Sequence, residues 1–175
     1  PPSSSRWYPG GGIYRDVWLK TSNDARIEKV FNTPVIGGQA PAVLTIETRI
    51  KNYSNEEKEI MLFSTILDPN GKEISVLKRK KSIAAHEESS LKQSESSLGD
   101  VFYWSPDEPN VYKVISSLNI DDIEIDRCES NFGFRYFSLA NNQPFVLNGE
   151  NTFIKGVNRH QDMEGLGYAL PNEQH

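Results

Sequence analysis

The chain has 175 residues, 37% of them hydrophobic and 10% aromatic, which is enough apolar material for one packed core and excludes intrinsic disorder as the main state. With a net charge of −5 and a pI near 5.3 it has no general basic surface, so we expect no nucleic-acid partner. No apolar stretch approaches the roughly 20 residues that span a bilayer, and the opening "PPSSSRWYPG" lacks the regions of a signal peptide, so we expect a soluble chain with no membrane partner.

The N-terminal stretch "RWYPGGGIYRDVWL" carries unusual aromatic area. It places Trp7, Tyr8 and Trp18 around a Pro-Gly-Gly-Gly turn. An exposed terminus does not normally carry so much apolar surface, so this segment indicates a partner surface.

The next segments have a period of two. In "AVLTIETRIKNYS", Leu44, Ile46, Thr48 and Ile50 share one face, which predicts a strand with one buried side. Two further apolar runs flank Asp68-Pro69-Asn70-Gly71, the chemistry of a tight hairpin. The basic run Lys78 to Lys81 that follows is interpreted as a strand end turning into solvent; the alternative is a localisation or polyanion patch.

The second half of the chain continues the strand pattern. "HEESSLKQSESS" is the one stretch that could be drawn as a helix, but its serines and its lack of an apolar stripe argue against that. "VYKVISSLNI" predicts another half-buried strand, and "IEIDRCESNFGFRYFSL" alternates less cleanly. The predicted fold is all-β, an immunoglobulin-like β-sandwich of about seven strands with non-sandwich flanking segments. The single cysteine, Cys128, excludes an intrachain disulfide and leaves bacterial cytoplasm and periplasm both open.

The C-terminal stretch concentrates polar chemistry. We predict a hairpin across Leu147 to Glu150, a short strand "TFIKGVN", and then a glycine-rich loop. That loop begins with Asn158, Arg159 and His160. A polar loop that follows a strand is where a barrel places its catalytic groups.

Four motifs, in this order, resemble glycoside hydrolase family 2, the family of β-galactosidases, β-glucuronidases and β-mannosidases. They are "RWYPGGGIYRDVWL", "WSPDEPNVYKV", "FGFRYF" and "FIKGVNRHQD". The resemblance implies that residues 1–19 are the C-terminal tail of a sugar-binding domain, 20–137 the immunoglobulin-like domain, and 138–175 the incomplete start of a (β/α)₈ barrel. Arg159 favours the β-galactosidase branch, which hydrolyses terminal β-D-galactose from β-galactosides.

The resemblance also implies where the chemistry lies. A retaining glycosidase uses two carboxyl groups about 5–5.5 Å apart. In the family these are glutamates after the fourth and seventh barrel strands, so we expect no catalytic residue in this fragment and no activity from it alone. Asp162, Glu164 and Glu173 share one loop and are not assigned these roles. His160 is expected to stabilise the transition state through a sugar hydroxyl, with Asn158 and Arg159 as supports; the alternative is an exposed imidazole without a partner.

Metal binding is not predicted. His160, Asp162, Glu164 and His175 match no familiar zinc spacing, so we expect no metal or cofactor in the fragment. The resemblance implies Mg²⁺ or Na⁺ near the active site of the full-length enzyme, held mainly by residues outside this sequence. His86 is interpreted as a solvated loop histidine.

A different class of function stays open. A free-standing carbohydrate-binding or adhesion module would use exposed aromatic rings as stacking platforms for sugar faces, the candidates being Trp7, Tyr8, Trp18 and Trp104. The aromatic flanks would also bury their apolar surface if two copies paired, and a homodimer is the first expectation.

Overall fold

The computed structural model describes residues 12, 13, 15–37, 40–159 and 163–174. These residues divide into two compact units: one consists of residues 22–153, and the other of the described parts of 1–21 and 154–175. Every β-strand of the described residues lies in the larger unit. Among the described residues, no helix combines the length and the apolar composition that a membrane-spanning helix requires.

Seven antiparallel strands form a two-sheet sandwich, which confirms the predicted fold. The strands are β1 (Ala25–Gly37), β2 (Ala40–Asn52), β3 (Lys58–Leu67), β4 (Glu73–Ile83), β5 (Glu88–Glu95), β6 (Tyr112–Ile120) and β7 (Ile123–Phe132). One sheet has the order β1-β2-β5 and the other the order β4-β3-β6-β7.

The predicted alternation in β2 is confirmed. Leu44, Ile46, Thr48 and Ile50 are all buried, whereas the residues between them are at least partly exposed. Strands β3 and β6 repeat this alternation on the facing sheet. The buried faces of the two sheets meet to form the core.

The core consists of two hydrophobic clusters. One surrounds the aromatic group of Tyr112, Phe132 and Phe134, whose rings lie 5.1 to 5.4 Å apart between centroids. The other is aliphatic and contains Ile50, Ile60, Leu62, Ile83, Leu91 and Leu118. Four buried polar residues interrupt the inward faces of their strands where these clusters adjoin; we call Thr48, Ser64, Gln93 and Ser116 the polar layer.

Both predicted hairpins are confirmed. Between β3 and β4, the carboxylate of Asp68 accepts hydrogen bonds from the backbone N–H groups of Asn70 and Lys72, and Gly71 has a φ of 81°. The second hairpin joins β9 (Val146–Leu147) to β10 (Glu150–Asn151), and β8 (Phe137–Ser138) completes this small sheet. Asn148 and Gly149, with φ of 52° and 89°, have the positive values that a two-residue hairpin turn of type I′ needs.

Polar side chains connect the edges of the two sheets. Between β5 and β4, Ser75 donates to the carboxylate of Glu95, and the guanidinium of Arg79 donates to the backbone carbonyl of Lys92. At the opposite edges, the N–H of Ile27 in β1 donates to Asp126 Oδ2 in β7 at 2.7 Å. These bonds join strands that share no sheet ladder.

Two local predictions are wrong. The run Lys78 to Lys81 lies inside β4, an edge strand that continues to Ile83, and is not a strand end. Lysines on an edge strand discourage pairing with other chains, so a basic run is favourable within a strand at this position. Residues 152–158, predicted as a short strand, form none. Beyond the bond from the backbone N–H of Thr152 to the carbonyl of Phe145, no backbone hydrogen bond among the described residues pairs this segment with a neighbour.

The stretch "HEESSLKQSESS" is not helical, as expected, but it contains the full strand β5, which the sequence did not predict. Its inward residues alternate with exposed ones, yet three of the four are polar: Ser89, Gln93 and Glu95. The strand is an edge of its sheet, and polar side chains of the facing sheet bind this inward face.

Candidate functional site

The segment that carries the predicted substrate contacts is exposed. Phe153 is 84% exposed, and Asn158 and Arg159 are also on the surface. His160 lies outside the described residues. Two of the three predicted residues are therefore exposed to solvent in the structure. The role of all three stays a prediction.

The acidic residues after this segment do not form a catalytic pair among the described residues. Glu164 lies in a tight turn closed by Met163 and Gly167, whose backbones exchange hydrogen bonds of 3.1 and 2.9 Å. Glu173 lies on the single 3₁₀ turn Asn172–Gln174, and both glutamates are exposed. Asp162 lies outside the described residues.

The described residues also offer no ligand set for the metal that the family resemblance implies. No group of three or more His, Cys, Asp or Glu side chains among them could hold an ion. His160, Asp162 and His175 lie outside the described residues.

The candidate stacking aromatics differ in their surroundings. Trp7 and Tyr8 lie outside the described residues, and Trp18 is 79% exposed. Trp104 is half-buried, and the guanidinium carbon of Arg135 lies 4.7 Å from the centroid of its ring. One face of Trp104 is therefore occupied within the chain, in the geometry of a cation–π contact.

Trp104 is the centre of a cluster that holds the end of the sandwich together; we call Trp104, Gly133, Arg135 and Asn148 the Trp104 junction. The backbone N–H of Trp104 donates to the carbonyl of Phe134 at 2.8 Å, next to the core aromatic group. Its carbonyl accepts a 2.9 Å bond from Asn148 Nδ2. Gly133 passes so close that an added Cβ would lie 3.0 Å from the Cβ of Trp104.

The motif "WSPDEPN" builds the loop that presents Trp104. The backbone N–H of Ser105 donates to the carbonyl of Glu108 at 2.9 Å, and the Ser105 hydroxyl accepts from the N–H of Glu108 at 3.0 Å. Asn110 closes the loop by donating through its side chain to the carbonyl of Tyr103 at 2.9 Å. The motif therefore has a structural role in this chain.

Buried Tyr112 fixes the other side of this loop. Its hydroxyl accepts a 2.9 Å bond from the backbone N–H of Phe102, and its ring packs against Phe132 and Phe134. Desolvation by burial raises the pKa of the Tyr112 phenol, so the group stays neutral and serves as a fixed acceptor.

Asn148 connects the loop to the chain beyond the sandwich. Its side-chain Oδ1 accepts a bond from the backbone N–H of Tyr136 at 3.1 Å. Its backbone N–H donates to the carbonyl of Tyr136 at 2.9 Å. The N–H of Thr152 donates to the carbonyl of Phe145 at 2.8 Å, so ordered pairing continues to the end of the larger unit. The arrangement positions residues; it supplies no acid, base or nucleophile.

Sequence reasoning missed this positioning role. The Asn-Gly pair at 148 and 149 predicted the turn, because both residues tolerate positive φ. It did not reveal that the same asparagine bonds to a residue 44 positions away.

Known proteins are similar to this chain in sequence. A family model described as glycosyl hydrolases family 2 matches residues 25–135, which span the whole sandwich from β1 to β7. The chain is 30% identical to a β-galactosidase of Bacteroides ovatus over 95% of this chain and 20% of the relative. It is 28% identical to a β-glucuronidase of Formosa agariphila over 95% of this chain and 18% of the relative.

Solved structures of glycosidases are also similar to this chain. A Bacteroides uniformis β-glucuronidase superposes with a TM-score of 0.86 at 28% identity, over 93% of this chain and 20% of that chain. A β-glycosidase from Bacteroides vulgatus gives a TM-score of 0.75 at 30% identity, over 95% of this chain and 20% of that chain. The chain spans about a fifth of the length of these proteins.

Proposed function

The chain belongs to glycosyl hydrolase family 2, and from that membership we propose that it is the sandwich region of a larger retaining β-galactosidase. That enzyme would hydrolyse terminal non-reducing β-D-galactose residues in β-galactosides. The observation that carries the proposal is the alignment with a named β-galactosidase over 95% of this chain, across the sandwich and both flanks.

The sandwich itself would act as a spacer between two functional domains. In this proposal residues 1–19 end a sugar-binding domain, 20–137 form the spacer, and 138–175 open the catalytic barrel. A spacer must leave its neighbours in a fixed orientation, because catalytic groups act only when they are held in productive geometry. The bonds of Asn148 to Trp104 and Tyr136 support such a role.

The proposed chemistry is double displacement by two carboxyl groups about 5–5.5 Å apart, one a nucleophile and the other an acid and then a base. A complete barrel of this type takes about 250 residues, so both groups would lie outside this sequence. His160 would contribute a hydrogen bond to a sugar hydroxyl that strengthens as the oxocarbenium ion forms. Asn158 and Arg159 would support that site, and the chain alone would be inactive.

A β-glucuronidase is the second candidate, because relatives with both names align over the same region. The two substrates differ in charge: a glucuronide carries a carboxylate where a galactoside carries a neutral hydroxymethyl group. A glucuronidase site would reject a galactoside, because the buried partner of the carboxylate would be left unpaired. A galactosidase site would reject a glucuronide, because it would bury a carboxylate without a partner. Relative activity on the two substrates therefore decides between them.

A carbohydrate-binding module is the third candidate, favoured by the exposure of Trp18. It predicts saturable glycan binding by the 175-residue chain. The spacer role predicts none, and the contact between Arg135 and Trp104 already reduces the surface available for stacking.

The decisive experiment expresses the complete reading frame that contains these residues and measures kcat and KM on chromogenic β-galactoside and β-glucuronide. We expect preference for the galactoside, and a kcat lowered about 10²- to 10³-fold by His160→Ala, the range found when one transition-state hydrogen-bond donor is removed. Glu164→Gln, an exposed neighbour, is the matched control and should leave kcat unchanged.

The 175-residue chain is assayed in parallel and should give no turnover. Preference for the glucuronide would overturn the substrate assignment while leaving the family role intact. Turnover by the short chain, or full activity of His160→Ala, would overturn the assignment of residues.

A further inference from the structure

The polar layer cuts across a core that is otherwise apolar. Along β2, Thr48 separates Ile46 of the aromatic-containing cluster from Ile50 of the aliphatic one. Ser64 and Ser116 occupy the corresponding positions on the facing sheet: Ser64 lies between Leu62 and Ile66 in β3, and Ser116 between Val114 and Leu118 in β6. The inward polar positions on three strands thus coincide with the boundary between the clusters.

Most polar atoms of this layer have no partner within the described chain. Ser64 Oγ donates to Gln93 Oε1 at 2.8 Å. The buried atoms Thr48 Oγ1, Gln93 Nε2 and Ser116 Oγ form no hydrogen bond with any described residue. A buried polar group without a partner is costly, so three such atoms in one layer indicate a ligand that supplies partners.

The strand register brings these groups towards one another. Ser64 and Ser116 are directly opposite on β3 and β6, an arrangement in which Cβ atoms are about 4.5–5.5 Å apart. The bond from Ser64 crosses from one sheet to the other and holds the Gln93 amide beside this serine pair. Thr48 is diagonal to Gln93, because Gln93 pairs with Ile46 on the neighbouring strand.

The chemistry of these atoms selects a small neutral ligand. A hydroxyl can donate or accept, whereas the amide Nε2 can only donate. A metal cation would be repelled by the Nε2 hydrogens and would find no carboxylate in the layer. Interchanging the oxygen and nitrogen of the Gln93 amide leaves one of them facing Ser64 and the other without a partner. Water can donate to that oxygen as well as accept from that nitrogen, and in either orientation the layer offers a cation no carboxylate.

We propose that the polar layer is a binding site for ordered internal water, held by Thr48, Gln93 and Ser116 between the two hydrophobic clusters. Water accepts from the amide and exchanges hydrogen bonds with both hydroxyls, which matches the roughly three partners typical of a buried water. It would link the two sheets, since Thr48 and Gln93 belong to one and Ser116 to the other.

The test combines a high-resolution crystal structure of the 175-residue chain with oxygen-17 relaxation dispersion, which counts long-lived internal water in solution. We expect density within hydrogen-bond distance of Thr48 Oγ1 and Ser116 Oγ, and a count that falls by about one molecule in Thr48→Val and in Ser116→Ala. Thr45→Val, on the outer face of the same strand, is the matched control and should leave the count unchanged.

A dry layer in the wild-type map, with the hydroxyls bonded to backbone carbonyls, would overturn the proposal. An unchanged water count in both folded variants would do the same. The wild-type map and count decide the question by themselves if a variant fails to fold. The outcome is independent of the proposed glycosidase activity.

Discussion

The side-chain amide of Asn148 donates to the backbone carbonyl of Trp104 at 2.9 Å, across 44 positions of sequence. The same side chain accepts from the backbone N–H of Tyr136, which follows β7. One residue in a tight turn therefore connects the loop before β6, the chain after β7 and the β9–β10 hairpin. The junction therefore connects three segments of the larger unit through one side chain.

Asn148→Gly should destabilise the larger unit by about 1–3 kcal/mol, because glycine keeps the positive φ but removes both side-chain bonds. Urea unfolding of the chain measures the change. Asn142→Gly, at another positive-φ position in an exposed turn, is the control and should be neutral or slightly stabilising. Equal effects of the two substitutions would show that the junction bonds contribute nothing.

Gly133→Ala tests the close packing of the Trp104 junction. The new methyl group would lie 3.0 Å from the Cβ of Trp104 and 3.4 Å from the carbonyl of Asn110, so the loop must move. We expect a loss of about 1–3 kcal/mol, typical of overpacking, and a change in Trp fluorescence. Gly156→Ala is the control, since its added Cβ meets no atom within 4 Å. An unchanged midpoint for Gly133→Ala would contradict the close approach.

Asn52 is a buried polar residue at the end of β2, and its substitution tests how the turns of the sandwich are held together. Its amide donates to the carbonyls of Glu56, Ile83 and Ala84, and its Oδ1 accepts from the N–H of Ser54. Asn52→Ala leaves buried carbonyls without a donor and should cost about 2–4 kcal/mol in thermal or urea unfolding.

Asn131→Ala on the exposed side of β7 controls for the loss of an asparagine and should change stability by less than about 0.5 kcal/mol. A loss below 1 kcal/mol for Asn52→Ala would show, against the geometry, that water replaces these bonds at little cost.

Local chemistry made much of the fold predictable. The alternation of Leu44, Ile46, Thr48 and Ile50 identified the buried face of β2, because side chains of a strand point to opposite sides. The sequence at Asp68 and the Asn-Gly pair at 148 identified turns, because their backbone needs are met within a few residues. Both signals lie entirely within short segments.

The features that depend on distant partners were not predictable. The inward face of β5 is mostly polar, and only the facing Ser64 and Ser75 explain why Gln93 and Glu95 are buried there. The end of β4 was misplaced for a related reason: a basic run suggests solvent, but pairing with β3 keeps it in the strand.

Prediction of the candidate site from the sequence was limited in the same way. The role of His160 came from resemblance alone, since one imidazole in a loop carries no geometric signal. The junction around Asn148 went unrecognised because its partner lies in a different motif.

The carboxylate of Glu95 should make stability depend on pH. Hydrogen bonds from Ser75 and then Ser97 lower the pKa of Glu95 to about 2, from about 4.3 in an unfolded chain. A lowered folded-state pKa means that the ionised form stabilises the fold above pH 4.3 and that this contribution is lost as the pH falls towards 2. We therefore expect Glu95→Gln to be less stable than the wild type by about 1–3 kcal/mol at pH 7, with a difference that shrinks between pH 5 and pH 2.

Urea unfolding at a series of pH values measures this difference. Glu57→Gln removes one exposed carboxyl group and controls for the change in net charge. If the difference in free energy of unfolding between wild type and Glu95→Gln is the same at every pH, the loss comes from altered packing around residue 95. That result would show that the serine hydroxyls do not hold the carboxylate in its ionised form. A gap that closes with acid, absent in the control, would establish that the polar edge between β4 and β5 is stabilised by charge-assisted hydrogen bonds.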